Sequence, residues 1–209
     1  MNPMHSIGLA RSYKEIVQRY REMRLDGHPE LDCFRAQPSL GEALRLAGLA
    51  QNQHGQVFSH QYRVPRAARA AAANALESGR RRLARAGSFH DLMSTVKDLL
   101  GGIAGIGPLT LYDTSVRIGA YLGILPDRVY LHAGVRDGAT ALGFPKSREW
   151  LDLAELPAPF QVLKPHEAED VLCIFRDDLA ALSSGRRRPS TRALKPGDCA
   201  PAPRRRERC

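Results

Sequence analysis

What the chain lacks narrows its class first. No apolar run approaches the ~20 residues that a membrane-spanning helix needs, so no membrane partner is expected. The opening stretch Met1-Asn-Pro-Met-His-Ser has no charged start leading into a long apolar segment, and no secretory leader is read there. Four cysteines, Cys33, Cys173, Cys199 and Cys209, fall at no metal-type spacing, so neither zinc nor another metal is expected. Cys173 lies within an amphipathic pattern and reads as a small packed residue. A reducing, cytoplasmic setting fits this cysteine usage. No convincing period-two alternation marks a half-buried strand, and no internal repeat is visible. No motif implies a cofactor.

The charge, by contrast, is abundant and unevenly placed. The formal net charge is +9, but from Ser183 onward nine Lys/Arg stand against two Asp/Glu. The preceding 182 residues hold 22 basic and 20 acidic side chains, close to balance. Within that part, His60 to Arg85 contains seven arginines and Glu77 as its one acid, whereas Glu149 to Asp178 contains eight acids. The arginines read either as a basic patch that attracts a polyanion or as a solvated helix face.

Helical periodicity covers most of the chain. Ser12-Tyr-Lys-Glu15 is a capping-box pattern opening a helix with Tyr13, Ile16, Val17 and Tyr20 on its apolar side. Gly27 to Gln37 reads as a loop. Ser39 with Glu42 opens a second helix through Leu40, Ala43, Leu44 and Ala47. Gln51 to Arg63 is polar and irregular. Pro65 begins an alanine-rich helix to about Ala86, broken or kinked around Gly79.

Phe89, Leu92, Val96, Leu99 and Leu100 then recur at helical spacing behind a Ser88–Asp91 capping pair, and Leu111, Ser115, Ile118 and Leu122 line a further helix. Val129 to Leu142 predicts another, in which Gly134 and Gly138 let a neighbour approach closely. Lys146 to Leu156 predicts a short one. Pro165 starts the last, with Ala168, Val171, Leu172, Phe175, Leu179 and Leu182 in a stripe. The expectation is an all-α domain of six to eight helices over residues 8–183. The segment 184–209 is basic and has no apolar face, so it is expected to be a disordered tail.

Gly101-Gly-Ile-Ala-Gly-Ile-Gly-Pro-Leu-Thr110 joins two of these helices. Glycines on either side of Ile106 let the backbone pass close to a ligand and aim N–H groups outward. Pro108 suits the first turn of a helix, where its missing N–H costs nothing. Free N–H groups at that helix start make an anion site, and a nucleic-acid phosphate is the obvious anion. Helix, Gly-Ile-Gly-Pro turn and helix, at about 89–122, resemble the helix-hairpin-helix family of DNA-binding proteins. The alternative is a tight connection with no ligand.

A hairpin inside an all-helical domain of this size also resembles the helix-hairpin-helix DNA glycosylases, over Leu99 to Gly143. In that family, bifunctional members place a lysine two positions after the second hairpin glycine. Leu109 stands there and cannot form a Schiff base. The resemblance also implies an aspartate before the next helix. Counting from Leu109 leads to Asp127, the candidate catalytic carboxylate, which reads equally as a helix N-cap. Aligning on His132 and Arg136 instead puts Tyr130 at that position.

The candidate nucleic-acid contacts are Gly105, Ile106, Gly107, Thr110 and Arg117. Thr110, Asp113, Thr114, Arg117 and Tyr121 are expected on the polar face of the second hairpin helix, with Asp113 and Arg117 as a surface i, i+4 pair or as a phosphate clamp. His54, His60, Gln61, Arg63 and His132 form a second candidate, a polar site built on the Gln-rich and His-rich loop. Three functions remain open: a protein that grips double-stranded DNA by its backbone, a monofunctional glycosylase-like enzyme, and a helical scaffold with a structural hairpin.

Overall fold

The computed structural model describes residues 9–25 and 27–184; the expected tail lies outside the described residues. Ten α-helices and two short strands appear among the described residues. In chain order they are α1 (Tyr13–Met23), α2 (Pro29–Arg35), α3 (Leu40–Leu49), α4 (Arg66–Ser78), α5 (Arg80–Leu83), α6 (Phe89–Leu100), α7 (Pro108–Leu122), β1 (Val129–Tyr130), α8 (Ala133–Ala141), β2 (Trp150–Leu151), α9 (Pro165–Ile174) and α10 (Arg176–Ser183). The fold class is therefore helical, as the periodicity predicts. The described residues divide into two compact units, one of residues 9–25 with 128–184, the other of residues 27–127.

Helix starts fall where the capping chemistry puts them. The hydroxyls of Ser12, Ser39 and Ser88 accept from the N–H groups of Glu15, Glu42 and Asp91 at 3.1–3.2 Å. Each satisfies one of the orphan donors of a first turn, a contribution of about 1 kcal/mol.

In the central unit, α2, α3, α4, α6 and α7 bury Leu31, Phe34, Leu44, Leu76, Leu92, Val96, Leu100 and Ile118, all at 2% exposure or less. Each fully buried side chain of this size contributes roughly 1.5–3 kcal/mol. Helices α3 and α4 come together at Gly48, where a Cβ would lie 2.5 Å from the Ala73 backbone. The alanine-rich helix breaks at Gly79, as expected. That glycine caps α4 and lies against the Leu99 side chain.

The other unit centres on Ile16, Val17 and Tyr20 of α1, packed with Val129, Leu131, Val135, Phe160, Val171, Leu172 and Leu179. Gly138 lets α8 meet α9 backbone to backbone; a Cβ there would sit 2.0 Å from the Leu172 carbonyl oxygen. The tight approach read from the glycine pair is present.

Several expected boundaries move. Gly27 to Gln37 holds a helix, α2, opened by Pro29 with Glu30 and Asp32 in its first turn. The helix expected over 129–142 starts only at Ala133, because Val129 and Tyr130 pair antiparallel with Leu151 and Trp150. That ladder also replaces the helix expected over 146–156, leaving a 3-10 turn at Leu153–Glu155. A strand of two residues is too short to show alternation, and its partner lies some twenty residues away in sequence. The last helix is interrupted at Phe175, which separates α9 from α10 while staying buried itself.

Candidate nucleic-acid interface

Helix α6 ends at Leu100, and the chain turns through Ile103, whose carbonyl takes the Ile106 N–H at 3.1 Å. Gly105 adopts φ +92°, a conformation that side-chain-bearing residues rarely hold. A Cβ at Gly105 would lie 3.0 Å from the Pro65 ring and 3.7 Å from Ala68, so the turn rests on the first residues of α4. Gly107 is different. Its backbone is extended at φ −105°, and a Cβ there would meet nothing within 4 Å.

Gly107 is the N-cap of α7 and supplies no side-chain cap. Pro108 has no N–H. The N–H groups of Gly107, Leu109 and Thr110 donate to no backbone carbonyl among the described residues, as the geometry of a helix start requires. The positive end of a fifteen-residue helix thus opens onto a partly exposed, side-chain-free backbone.

The contact with Pro65 places this opening beside the arginine-rich segment. Arg63 and Arg66 are exposed and make no ion pair among the described residues. Not every arginine in the segment is available. Arg69 donates to the carbonyls of Val64 (3.2 Å) and Leu49 (3.1 Å), neutralising the C-terminal end of α3. Arg80 pairs with Glu77 at 3.3 Å, and Arg82 with Asp98 at 2.8 Å.

Arg117 requires a correction. It is not on a solvated face but has no exposure at all. Its Nε donates to Glu30 at 2.7 Å, and its guanidinium lies 4.3 Å from the centroid of the Phe58 ring. Both ω-nitrogens are buried with no acceptor among the described residues. Direct contact with phosphate is excluded in this conformation. Thr110 and Thr114, at 9% and 2% exposure, share that inward face. The reason is tertiary: α2 and the loop before α4 lie over this side of α7 and bring polar groups with them.

Asp113, one turn earlier, also departs from the i, i+4 pairing. Its carboxylate accepts from Gln61 Nε2 and lies 3.4 Å from His60 Nε2. Burial works against the His60 cation. The hydrogen bond to Asp113 and the charges of Asp113 and Glu30 outweigh that and the repulsion from Arg117, raising His60 to about 9. The two candidate sites are thus joined, because His60 and Gln61 of the polar loop are tied to the second hairpin helix.

The remaining candidates disperse. His54 is exposed and touches Gln53 at 3.3 Å. His132 belongs to the other compact unit, where it stands at the N-cap position of α8 without a side-chain cap and lies 2.8 Å from Glu169, both buried. Asp127 is exposed in a bend before β1 and caps no helix, since the next one starts at Ala133.

Glu30 and Phe58 were not singled out by the sequence. Pro29-Glu30 does carry a helix-start signal, and Phe58 with Val57 is an apolar pair in a largely polar loop, but nothing local says that Glu30 and Phe58 both meet Arg117. No family model matches this chain, and neither a curated protein nor a solved structure matches it. Function is therefore argued from the site alone.

Proposed function

We propose that the central unit is a DNA-binding module that holds the sugar-phosphate backbone of double-stranded DNA on the Gly105–Gly107 turn. The observation that carries the proposal is the open N-terminus of α7: donors at Gly107, Leu109 and Thr110 with no side-chain cap, behind a glycine whose Cβ would meet nothing within 4 Å. Arg63 and Arg66 flank it through the Gly105–Pro65 contact and supply mobile countercharge for neighbouring phosphates. The buried polar cluster positions these parts. Glu30, Phe58, His60 and Gln61 clamp α7 from one side and fix the loop from which Arg63 emerges.

Such an interface reads backbone, not sequence, because phosphates are the same at every step. Double substitution of Arg63 and Arg66 to alanine should weaken binding evenly across unrelated duplexes and lower the salt slope by up to about two, at roughly 0.9 per phosphate contact. An unchanged slope would remove these arginines from the interface. Binding is favoured over base excision. Leu109 offers no amine, and Asp127 is an exposed bend residue, not a carboxylate aimed into a pocket. Borohydride trapping on abasic DNA should yield no adduct.

A further inference from the structure

We propose that Tyr62 is a stacking platform for an unpaired nucleobase, so that the interface prefers DNA carrying an unstacked base to regular duplex, an inference that rests on the hairpin reading above. Tyr62 is 69% exposed. It is the one exposed residue among the tyrosines and phenylalanines of the described residues. Solvent exposure of a single aromatic is common in itself; what sets this one apart is how firmly it is held and what lies beside it.

Both flanks of Tyr62 are anchored. Gln61 is fully buried, donates its side-chain amide to Asp113 and gives its N–H to the Phe58 carbonyl at 2.9 Å. Val64 is buried and donates to the Gln61 carbonyl at 3.1 Å. The backbone at Tyr62 is helical, at φ −60° and ψ −28°. A large ring is thus presented to solvent from a fixed backbone, which lowers the ordering cost of binding.

Its neighbours point to a nucleic acid. Arg63 and Arg66 follow it, and Pro65, three residues on, touches the hairpin turn at Gly105. Three residues span at most about 11 Å, and a DNA strand rises about 3.4 Å per nucleotide. A phosphate seated on the α7 N-terminus therefore leaves a base within about three nucleotides of it in reach of the ring. In regular duplex both faces of that base are covered by its stacked neighbours; an unpaired base offers a free face, and aromatic side chains take it without regard to sequence. Trp150, the other exposed large aromatic, is not equivalent: Arg128 lies 4.4 Å and Arg148 5.7 Å from its ring centroid.

The full chain should be titrated with a fully paired duplex and with the same duplex carrying one bulged adenine. The parent is expected to bind the bulged duplex about ten-fold or more tighter. Tyr62→Ala should lower that affinity to the level of the paired duplex with an unchanged melting temperature, and Tyr62→Trp should restore the preference. A ratio of bulged to paired affinity that is unaffected by Tyr62→Ala, or a parent with no preference, overturns the stacking role while leaving the hairpin reading intact. A parent that binds neither duplex overturns both.

Discussion

Arg117 and Glu30 meet at 2.7 Å, and the guanidinium has no solvent exposure. A cation on the helix that carries the proposed phosphate site is thus committed to the interior. Its partners are a carboxylate from α2 and, 4.3 Å away, the face of Phe58. Desolvated cation–π contacts contribute about 2 kcal/mol, which partly offsets ω-nitrogens left without protein acceptors.

Removing one partner of that pair should cost far more than removing both. Glu30→Leu leaves a fully buried cation without its anion and is expected to lower unfolding free energy by about 3–5 kcal/mol; Arg117→Met leaves a carboxylate that is a quarter exposed and should cost less. The double variant Arg117→Met, Glu30→Leu should recover much of the loss. Denaturant titrations of the full cycle measure this. Additive losses would mean that the two side chains contribute independently.

The His60–Asp113 contact gives stability a pH dependence of defined sign. The folded-state value is raised to about 9 from an ordinary 6.5. The contribution is therefore complete below pH 6.5 and disappears as pH rises through about 9. Allowing for partial exposure, it is on the order of 2 kcal/mol. Chemical denaturation between pH 6 and 10 should show this decline, and His60→Gln should flatten it. A parent profile level across that range would show that no proton is gained at His60 on folding.

The glycines of α8 are unequal. Gly138→Ala drives a methyl into the Leu172 carbonyl, whereas Gly134→Ala meets the Cys173 sulfur at 3.0 Å, a side chain that can shift. Overpacking of the first kind typically costs about 1–3 kcal/mol or more. Melting temperatures should therefore fall in the order parent, Gly134→Ala, Gly138→Ala. Equal melting temperatures would contradict the close α8–α9 approach.

Elements with a strong local signature were legible from the sequence: Ser12, Ser39 and Ser88 marked helix starts, Gly79 marked a break, and the Gly134/Gly138 pair marked a close packing. What escaped depended on distant partners. The β1–β2 ladder is two residues long on each side, too short for a period. The amphipathic reading of α7 failed for the same reason. Thr110, Thr114 and Arg117 are polar yet inward, because Glu30 and Phe58, remote in sequence, supply an interior that suits them. The two glycines around Ile106 also differ in a way that the Gly-Ile-Gly pattern does not show: Gly105 is left-handed and Gly107 extended.

That difference separates fold from binding at two positions of one turn. Gly105→Ala places a side chain at φ +92° against the Pro65 ring, so it should destabilise the central unit by roughly 1 kcal/mol or more. Gly107→Ala has both a permitted backbone and open space, and should melt with the parent. Thermal unfolding of the two variants checks the assignment; a larger loss at Gly107 would contradict it.

The phosphate site itself is tested most directly by Gly107→Asp. An aspartate at this extended N-cap can accept from the first-turn N–H groups and favours the helix dipole, so the fold should be as stable as the parent's or a few tenths of a kcal/mol more so. The same carboxylate occupies the donors and repels a phosphate. Salt-dependent binding of the full chain to an unrelated-sequence duplex should therefore show tight, salt-sensitive association for the parent and a loss of ten-fold or more for Gly107→Asp, with melting temperatures equal or raised. Duplex affinity unaltered by Gly107→Asp, or a parent that binds no duplex at low salt, would contradict the proposed site and leave the Gly-Ile-Gly turn as a connection between two helices.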